Sequence, residues 1–258
     1  MITSPQNPKL KLVRALMGRA RERRAAGAFV AEGIRLVEEA LQAEWPFRFV
    51  LARPQLSERG QILLDRLRRQ QIEVEIISEA LLDTLSDTRT SQGILAVLAL
   101  AGKTPPRSGP DFVLIADRIR DPGNLGALLR TGAAAGVQAV FLPPETTDAF
   151  SPKVVRAGMG AHFRLALHSL TWPEIQRAVA GLNVYLAEAN GQRVCWQADF
   201  RSPLALIVGN EAEGPSQQAR AIASETISIP MPGGIESLNA AIAGAILMFE
   251  VVRQRGYP

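Results

Sequence analysis

The sequence predicts an α/β protein built as two successive units. Three observations lead there. Short apolar runs of strand length alternate with segments of helical periodicity. The alternation breaks once, at residues 102–110 (GKTPPRSGP), where three prolines and two glycines fall within nine residues. It then restarts and runs to the end of the 258-residue chain, a length that suits one large domain or two small ones. A first domain over 1–101, a linker over 102–110 and a second domain over 111–258 are therefore expected.

In the first half, residues 5–25 read as one basic helix, with Leu12, Val13 and Leu16 at helical spacing among Lys and Arg. Residues 27–32 (GAFVAE) read as a strand. Residues 34–43 read as a helix with Leu36, Val37 and Leu41 facing a core. Strands at 48–52 and 73–77 alternate with helices at 61–69 and 79–85. Residues 93–100 (GILAVLAL) form a continuous apolar strand. Such alternation implies a mostly parallel, three-layer unit.

The second half opens with a buried strand at 112–116 (FVLIA) and a helix at 124–135. A strand at 139–142 and a short helix at 153–159 follow, then a helix at 172–180 with Thr171 as its N-cap. Strands are expected at 184–187, 204–208 and 226–229, and an apolar helix at 237–253 closes the chain.

Composition narrows the class. Hydrophobic residues make up 47% and charged residues 21%, which fits a packed globular chain rather than a disordered one. The single Cys195 forbids an internal disulfide, and with only His162 and His168 beside it no zinc cage is expected. The start, MITSPQNPKLK, has no apolar signal core, and the apolar run 240–249 is about half a membrane span. A cytoplasmic protein with no membrane association is expected.

The net charge of +4 is unevenly placed. Residues 1–107 carry 17 basic and 12 acidic side chains, whereas 108–258 carry 12 and 13. Within 9–24, Lys9, Lys11, Arg14, Arg19, Arg21, Arg23 and Arg24 face one acid, Glu22. Such an arm is either a solvated helix face or a phosphate-binding surface.

Three loops carry residues that chemistry uses, and ligands of open α/β sheets bind at the carboxyl ends of strands. The first is 117–131 (DRIRDPGNLGALLRT). Asp121, Pro122 and Gly123 make a tight turn and Asn124 opens a helix whose free N–H groups suit an anion. Arg130 lies on another face of that helix. The second is 207–215 (IVGNEAEGP), where Gly209 permits close backbone approach and Glu211 can accept hydrogen bonds. The third is 229–241 (IPMPGGIESLNAA), an irregular loop opening the last helix. Ser237 there is an ordinary cap candidate, but Asn239 sits one turn inside an apolar face and needs partners. A dinucleotide fingerprint and a P-loop lysine are both missing.

Together these stretches resemble the signature of the SpoU/TrmH family of RNA 2′-O-ribose methyltransferases, in the SPOUT class. Asp117, Asp121 to Gly126 and Arg130-Thr131 are similar to its first motif. Residues 209–214 resemble its second, and 229–231 with 237–239 its third. Residues 152–163 (PKVVRAGMGAHF) also look like this family, and 28–40 are similar to the ribosomal-protein-like RNA-binding domain that precedes the catalytic domain in many members. Gly132 stands where the family usually has Ala, and Gly158 where Ser is common.

The resemblance implies a trefoil-knotted C-terminal domain behind a smaller N-terminal α/β RNA-binding domain. It implies S-adenosylmethionine in the knot, contacted by Gly209, Ile229 and Leu238 with Pro230 and Met231. It implies a methyl-transfer site at Arg130, Asn124, Glu211, Ser237 and Asn239, and a homodimer through the knot domain that uses the apolar last helix. A guanidinium stays protonated, so Arg130 is expected to hold a phosphate and favour ionisation of the 2′-hydroxyl rather than act as a plain base. The two-domain layout favours rRNA, of the 23S kind, as substrate. A tRNA substrate and a binding-only member without turnover are the alternatives. In this setting the basic arm is expected to clamp RNA phosphates.

Overall fold

The basic N-terminal segment forms two helices in this computed structural model, which describes residues 1–86, 91–100, 109–210 and 213–256. α1 (Pro8–Gly18) ends where Arg19 takes an extended conformation, and α2 (Ala20–Ala26) ends on Gly27 at φ 56. The single helix expected over 5–25 is thus broken, with Gly18 at the weak point. Asn7 caps α1, its side chain accepting from the Lys9 N–H at 2.9 Å.

The first unit continues through β1 (Ala28–Glu32), α3 (Ile34–Gln42), β2 (Phe47–Ala52), α4 (Glu58–Arg69), β3 (Val74–Ile76), α5 (Glu79–Asp83) and β4 (Ile94–Ala99). Its sheet has the order β1-β4-β2-β3. β4 is antiparallel to both β1 and β2, and only β2–β3 is parallel. The mostly parallel sheet expected here is therefore corrected. Alternation along a chain leaves open from which side a strand enters, and β4 enters against its neighbours. The three layers do form. Ile94, Ala96 and Leu98 face one apolar core with Leu36, Val37 and Leu63, while Leu95 and Val97 face another with Leu10, Val13 and Leu16.

The second unit contains β5 (Phe112–Ala116), α6 (Pro122–Ala135) and β6 (Ala139–Leu142). After α7 (Pro152–Gly158) come β7 (Ala166–Ser169), α8 (Trp172–Ala178), β8 (Asn183–Ala187), β9 (Arg193–Val194), β10 (Leu204–Val208), α9 (Gln217–Ile222), β11 (Glu225–Ser228) and α10 (Ala240–Gln254). Thr171 caps α8 as expected, in a capping box with Glu174. The short edge strands β7 and β9 and the six-residue α9 have too little periodicity to show in the sequence.

The compact units are Met1–Ala101 with Asp148–Phe163, and Gly102–Thr147 with Arg164–Pro258. The segment Asp148–Phe163, α7 included, thus packs with the first unit, where Phe150, Val155 and Phe163 join the core around Phe29 and Trp45. Most of the expected linker, 102–108, lies outside the described residues.

Every pairing in the second sheet is parallel, in the order β7-β6-β5-β10-β8-β11-β9. β10 lies between β5 and β8, with Leu204 opposite both Phe112 and Asn183. All five β10 residues are buried, as their unbroken apolar run requires. α10 packs along α6, and Gly244 makes the approach possible: a Cβ there would lie 2.4 Å from Leu128 Cδ2. Among the described residues no helix is long and apolar enough to cross a membrane.

Candidate active site

Three loops at the carboxyl ends of β5, β10 and β11 are tied together by short polar contacts. After β5, Asp117 is fully buried and its Oδ2 accepts from the Ser216 N–H at 2.7 Å. Burial pushes this carboxyl above its ordinary range, against the opposing pull of the Ser216 hydrogen bonds and the Arg118 charge. Asp121 rather than Asn124 opens the next helix. It is the N-cap of α6, with Pro122 in the first turn, and its Oδ1 accepts from the Asn124 N–H at 2.8 Å.

The β10 loop leans on the β5 loop. Asn210 Nδ2 donates to the Arg118 carbonyl at 3.1 Å, and Asn210 Oδ1 accepts from the Glu213 N–H at 3.2 Å. Glu213 pairs with Arg118 and, at 2.6 Å, with Arg120. Gly209 is needed where it stands, since a Cβ would come within 3.0 Å of Pro215 Cα. Glu211 lies outside the described residues.

The β11 loop ends on Asn239, and here the sequence reading is corrected. α10 begins at Ala240, not at Ser237, so Asn239 is its N-cap rather than an internal residue. Its Oδ1 accepts from the N–H groups of Ala241 and Ile242 at 3.0 and 3.2 Å, and its Nδ2 donates to Asn124 Oδ1 at 2.9 Å. A carboxamide has an acceptor for the helix end and a donor for a neighbour at once, which explains an Asn here.

Beside this bond is a cavity of about 530 Å³, within the size range of small-molecule sites. Of the five expected cofactor contacts, Gly209, Ile229, Met231 and Leu238 line it and Pro230 does not. Ser237 lines it too, whereas Asn124, Arg130 and Asn239 do not. Asn239 stands between two lining residues, Leu238 and Ala240. Arg130 is exposed on α6, about 9 Å along the axis from Asn124 and on another face. The cavity pairs apolar walls from Val208, Ile227 and Leu247 with polar groups from Asn190 and Asn210, which suits a ligand with a flat heterocycle and a polar tail. Among the described residues no group of three or more His, Cys, Asp or Glu is placed to hold a metal ion.

A fourth loop, after β8, was not singled out by sequence. It supplies Glu188 and Asn190 to the cavity wall, and Arg220 of α9 joins them. The signal was present, because this loop too follows the carboxyl end of a parallel strand.

The basic arm divides by burial. Lys11, Arg14, Arg19, Arg21 and Arg24 are exposed, with an Arg14 N–H also donating to the Pro5 carbonyl at 2.9 Å. Lys9 is half-buried and paired with Glu73 at 2.6 Å and Glu75 at 3.0 Å. Arg23 is only 3% exposed; it pairs with Asp148 at 2.6 Å and donates to the Leu16 carbonyl at 2.6 Å. Its guanidinium is committed inside the first unit, so it is withdrawn from the set of phosphate-binding residues.

Comparison with known proteins agrees with this geometry. The SpoU rRNA Methylase family matches residues 111–249, and the MRM3-like substrate binding domain matches residues 7–96. The chain is similar to the 23S rRNA (uridine(2479)-2'-O)-methyltransferase of Streptomyces viridochromogenes, at 31% identity over 98% of this chain and 92% of that protein. It is also similar to the 23S rRNA (guanosine-2'-O-)-methyltransferase RlmB of Pectobacterium atrosepticum, at 32% identity over 87% of this chain and 97% of that one. Among solved structures, the SpoU methyltransferase AviRb from Streptomyces viridochromogenes in complex with the cofactor AdoMet gives a TM-score of 0.86 at 30% identity, covering 97% of this chain and 98% of that one. With its catalytic-domain motifs gathered on one parallel sheet and more than half its length matched, the chain belongs to the SpoU rRNA methylase family.

Proposed function

We propose that this protein methylates a ribose 2′-hydroxyl in ribosomal RNA, using S-adenosylmethionine. One observation carries the reading: the separate loops after β10 and β11 bring Gly209, Ile229, Met231, Ser237 and Leu238 onto one cavity. The 23S rRNA activities of the similar proteins favour rRNA over tRNA as substrate.

Backbone groups at Gly209, Ile229 and Leu238 hold the cofactor, and the aliphatic side chains of Ile229 and Leu238 enclose its ring. When bound, S-adenosylmethionine supplies an electrophilic methyl group on its sulfonium sulfur. The protein's own work is to position the hydroxyl and ease loss of its proton. Asn124 and Asn239, locked to each other, set one side of the transfer site, with Ser237 close by in the loop before α10. Arg130 holds the phosphate next to the target ribose, and its charge favours the ionised hydroxyl. Lys11, Arg14, Arg19, Arg21 and Arg24 grip the RNA backbone and add affinity rather than sequence choice.

The protein works in the cytoplasm as a homodimer with a trefoil-knotted catalytic domain. Support for the knot is the position of β10 between β5 and β8. Support for the dimer is α10, where Ile242 and Phe249 remain 53% and 50% exposed. Sedimentation at micromolar concentration distinguishes dimer from monomer.

The deciding experiment has two parts. Calorimetry should show S-adenosylmethionine binding to the folded protein, and absence of binding sinks the proposal. Mapping of 2′-O-methylation in rRNA from a deletion strain should then reveal one lost site; loss from tRNA instead would move the substrate.

A further inference from the structure

We propose that Glu188 is a cofactor-binding residue that accepts hydrogen bonds from the two vicinal ribose hydroxyls of the S-adenosyl group. The inference rests on the methyltransferase reading and adds a residue that lies outside the family's motifs described above.

Glu188 is the first residue beyond β8, on the cavity wall. Its backbone is fixed on both sides. Its N–H donates to the Ile227 carbonyl at 2.9 Å, and its carbonyl accepts from the Gly191 N–H at 3.2 Å. Gly191 closes this turn tightly against β11, since a Cβ there would lie 2.4 Å from the Ile227 carbonyl carbon. The Glu188 side chain is only 17% exposed and pairs with Arg220. Among the described residues lining the cavity, Glu188 and Arg220 carry the only charges.

A carboxylate offers two acceptors side by side, which matches a pair of neighbouring hydroxyl donors. Parallel α/β sheets that bind nucleotides commonly place an acid beyond a strand's carboxyl end for this purpose. The cofactor also carries an ammonium group, but Arg220 bears on the choice. Its guanidinium already sits against Glu188 and repels a second cation, whereas neutral hydroxyls meet no such repulsion.

The test measures dissociation constants by calorimetry for S-adenosylhomocysteine and its 2′,3′-dideoxy analogue, neither of which has a sulfonium charge. Wild type should bind the dideoxy analogue roughly tenfold or more weakly, as expected for lost hydrogen bonds to a charged group. Glu188→Ala should weaken S-adenosylhomocysteine by a similar factor and then bind both ligands equally. Glu188→Gln, which keeps shape and one acceptor, should fall between. Equal weakening of both ligands in Glu188→Gln and Glu188→Ala would mean a structural or ammonium-binding role and overturn the proposal, as would unchanged binding in Glu188→Ala. If wild type binds neither ligand, the methyltransferase reading itself fails, a result distinct from the others.

Discussion

Asn239 Nδ2 donates to Asn124 Oδ1 at 2.9 Å, joining the N-cap of α10 to the first turn of α6. Two loops separated by more than a hundred residues thereby share one polar anchor at the proposed transfer site.

This anchor separates stability from activity. Asn239→Asp keeps the capping oxygen and loses the donor to Asn124. Chemical denaturation should show a loss within about 1 kcal/mol, while single-turnover methyl transfer falls clearly. Asn239→Ala removes cap and anchor together and should cost about 1–3 kcal/mol. Full activity in Asn239→Asp would show that the bond plays no part in the reaction.

Arg130 tests the phosphate role. Arg130→Lys keeps the charge but not the planar fork. Its single-turnover rate should fall, with S-adenosylmethionine affinity unchanged in calorimetry. A full rate would remove the bidentate contact from the mechanism.

Two glycines on the α6–α10 contact should respond in opposite directions. A Cβ on Gly132 would meet Val137 at 3.5 Å and Met248 at 3.7 Å, ordinary contact distances. Gly132→Ala should stabilise by about 0.5–1 kcal/mol in urea unfolding. Gly244→Ala meets Leu128 Cδ2 at 2.4 Å and should destabilise by about 1–3 kcal/mol.

His162 predicts an acid sensitivity. Its ring is buried, its Nε2–H donates to the Ala149 carbonyl at 2.6 Å, and burial lowers its pKa to about 4. The unfolded chain takes up this proton near pH 6.5, before the folded one does, so the contribution is intact above pH 6.5 and drains away toward pH 4. Between pH 7.5 and 5 the loss should be roughly 2 kcal/mol. Urea melts at the two pH values should show a smaller difference in His162→Gln.

The basic arm should divide by burial. Replacing Arg19, Arg21 and Arg24 with Ala should lower RNA affinity and reduce the slope of log affinity against log salt by about 2–3, leaving cofactor affinity alone. Arg23→Ala should instead destabilise the fold by about 2–4 kcal/mol, because it strips a buried partner from Asp148. An unaltered salt slope in the triple variant would make the arm a plain soluble surface.

What was legible in the sequence was local. The strand at β10 and the glycine-rich loop after it both follow from residue order, and four of the five expected cofactor contacts line the cavity. Neighbour relations were not legible. No periodicity tells that β4 runs antiparallel to β2, or that β10 fits between β5 and β8. Asn239 was misplaced by one turn because Ser237 and Asn239 are both capping residues, and the choice depends on Asn124, distant in sequence. Gly158 departs from the family's usual Ser for a reason visible only in space: a Cβ there would lie 2.9 Å from the His162 ring. Arg23 shares its charge pattern with its neighbours, so only burial sets it apart.

The position of β10 ties completion of the sheet to a late part of the chain. Its flanking strands, β5 and β8, are both made earlier in the chain, and the slot between them stays open until residues 204–208 arrive. Gly209, Ile229, Leu238 and Leu247, which wall the cavity, all follow that strand. A nascent or truncated chain ending before Leu204 has neither the closed sheet nor a pocket. A cofactor that binds only the complete sheet therefore stabilises the finished domain, with β10 in place, over any shorter form of it.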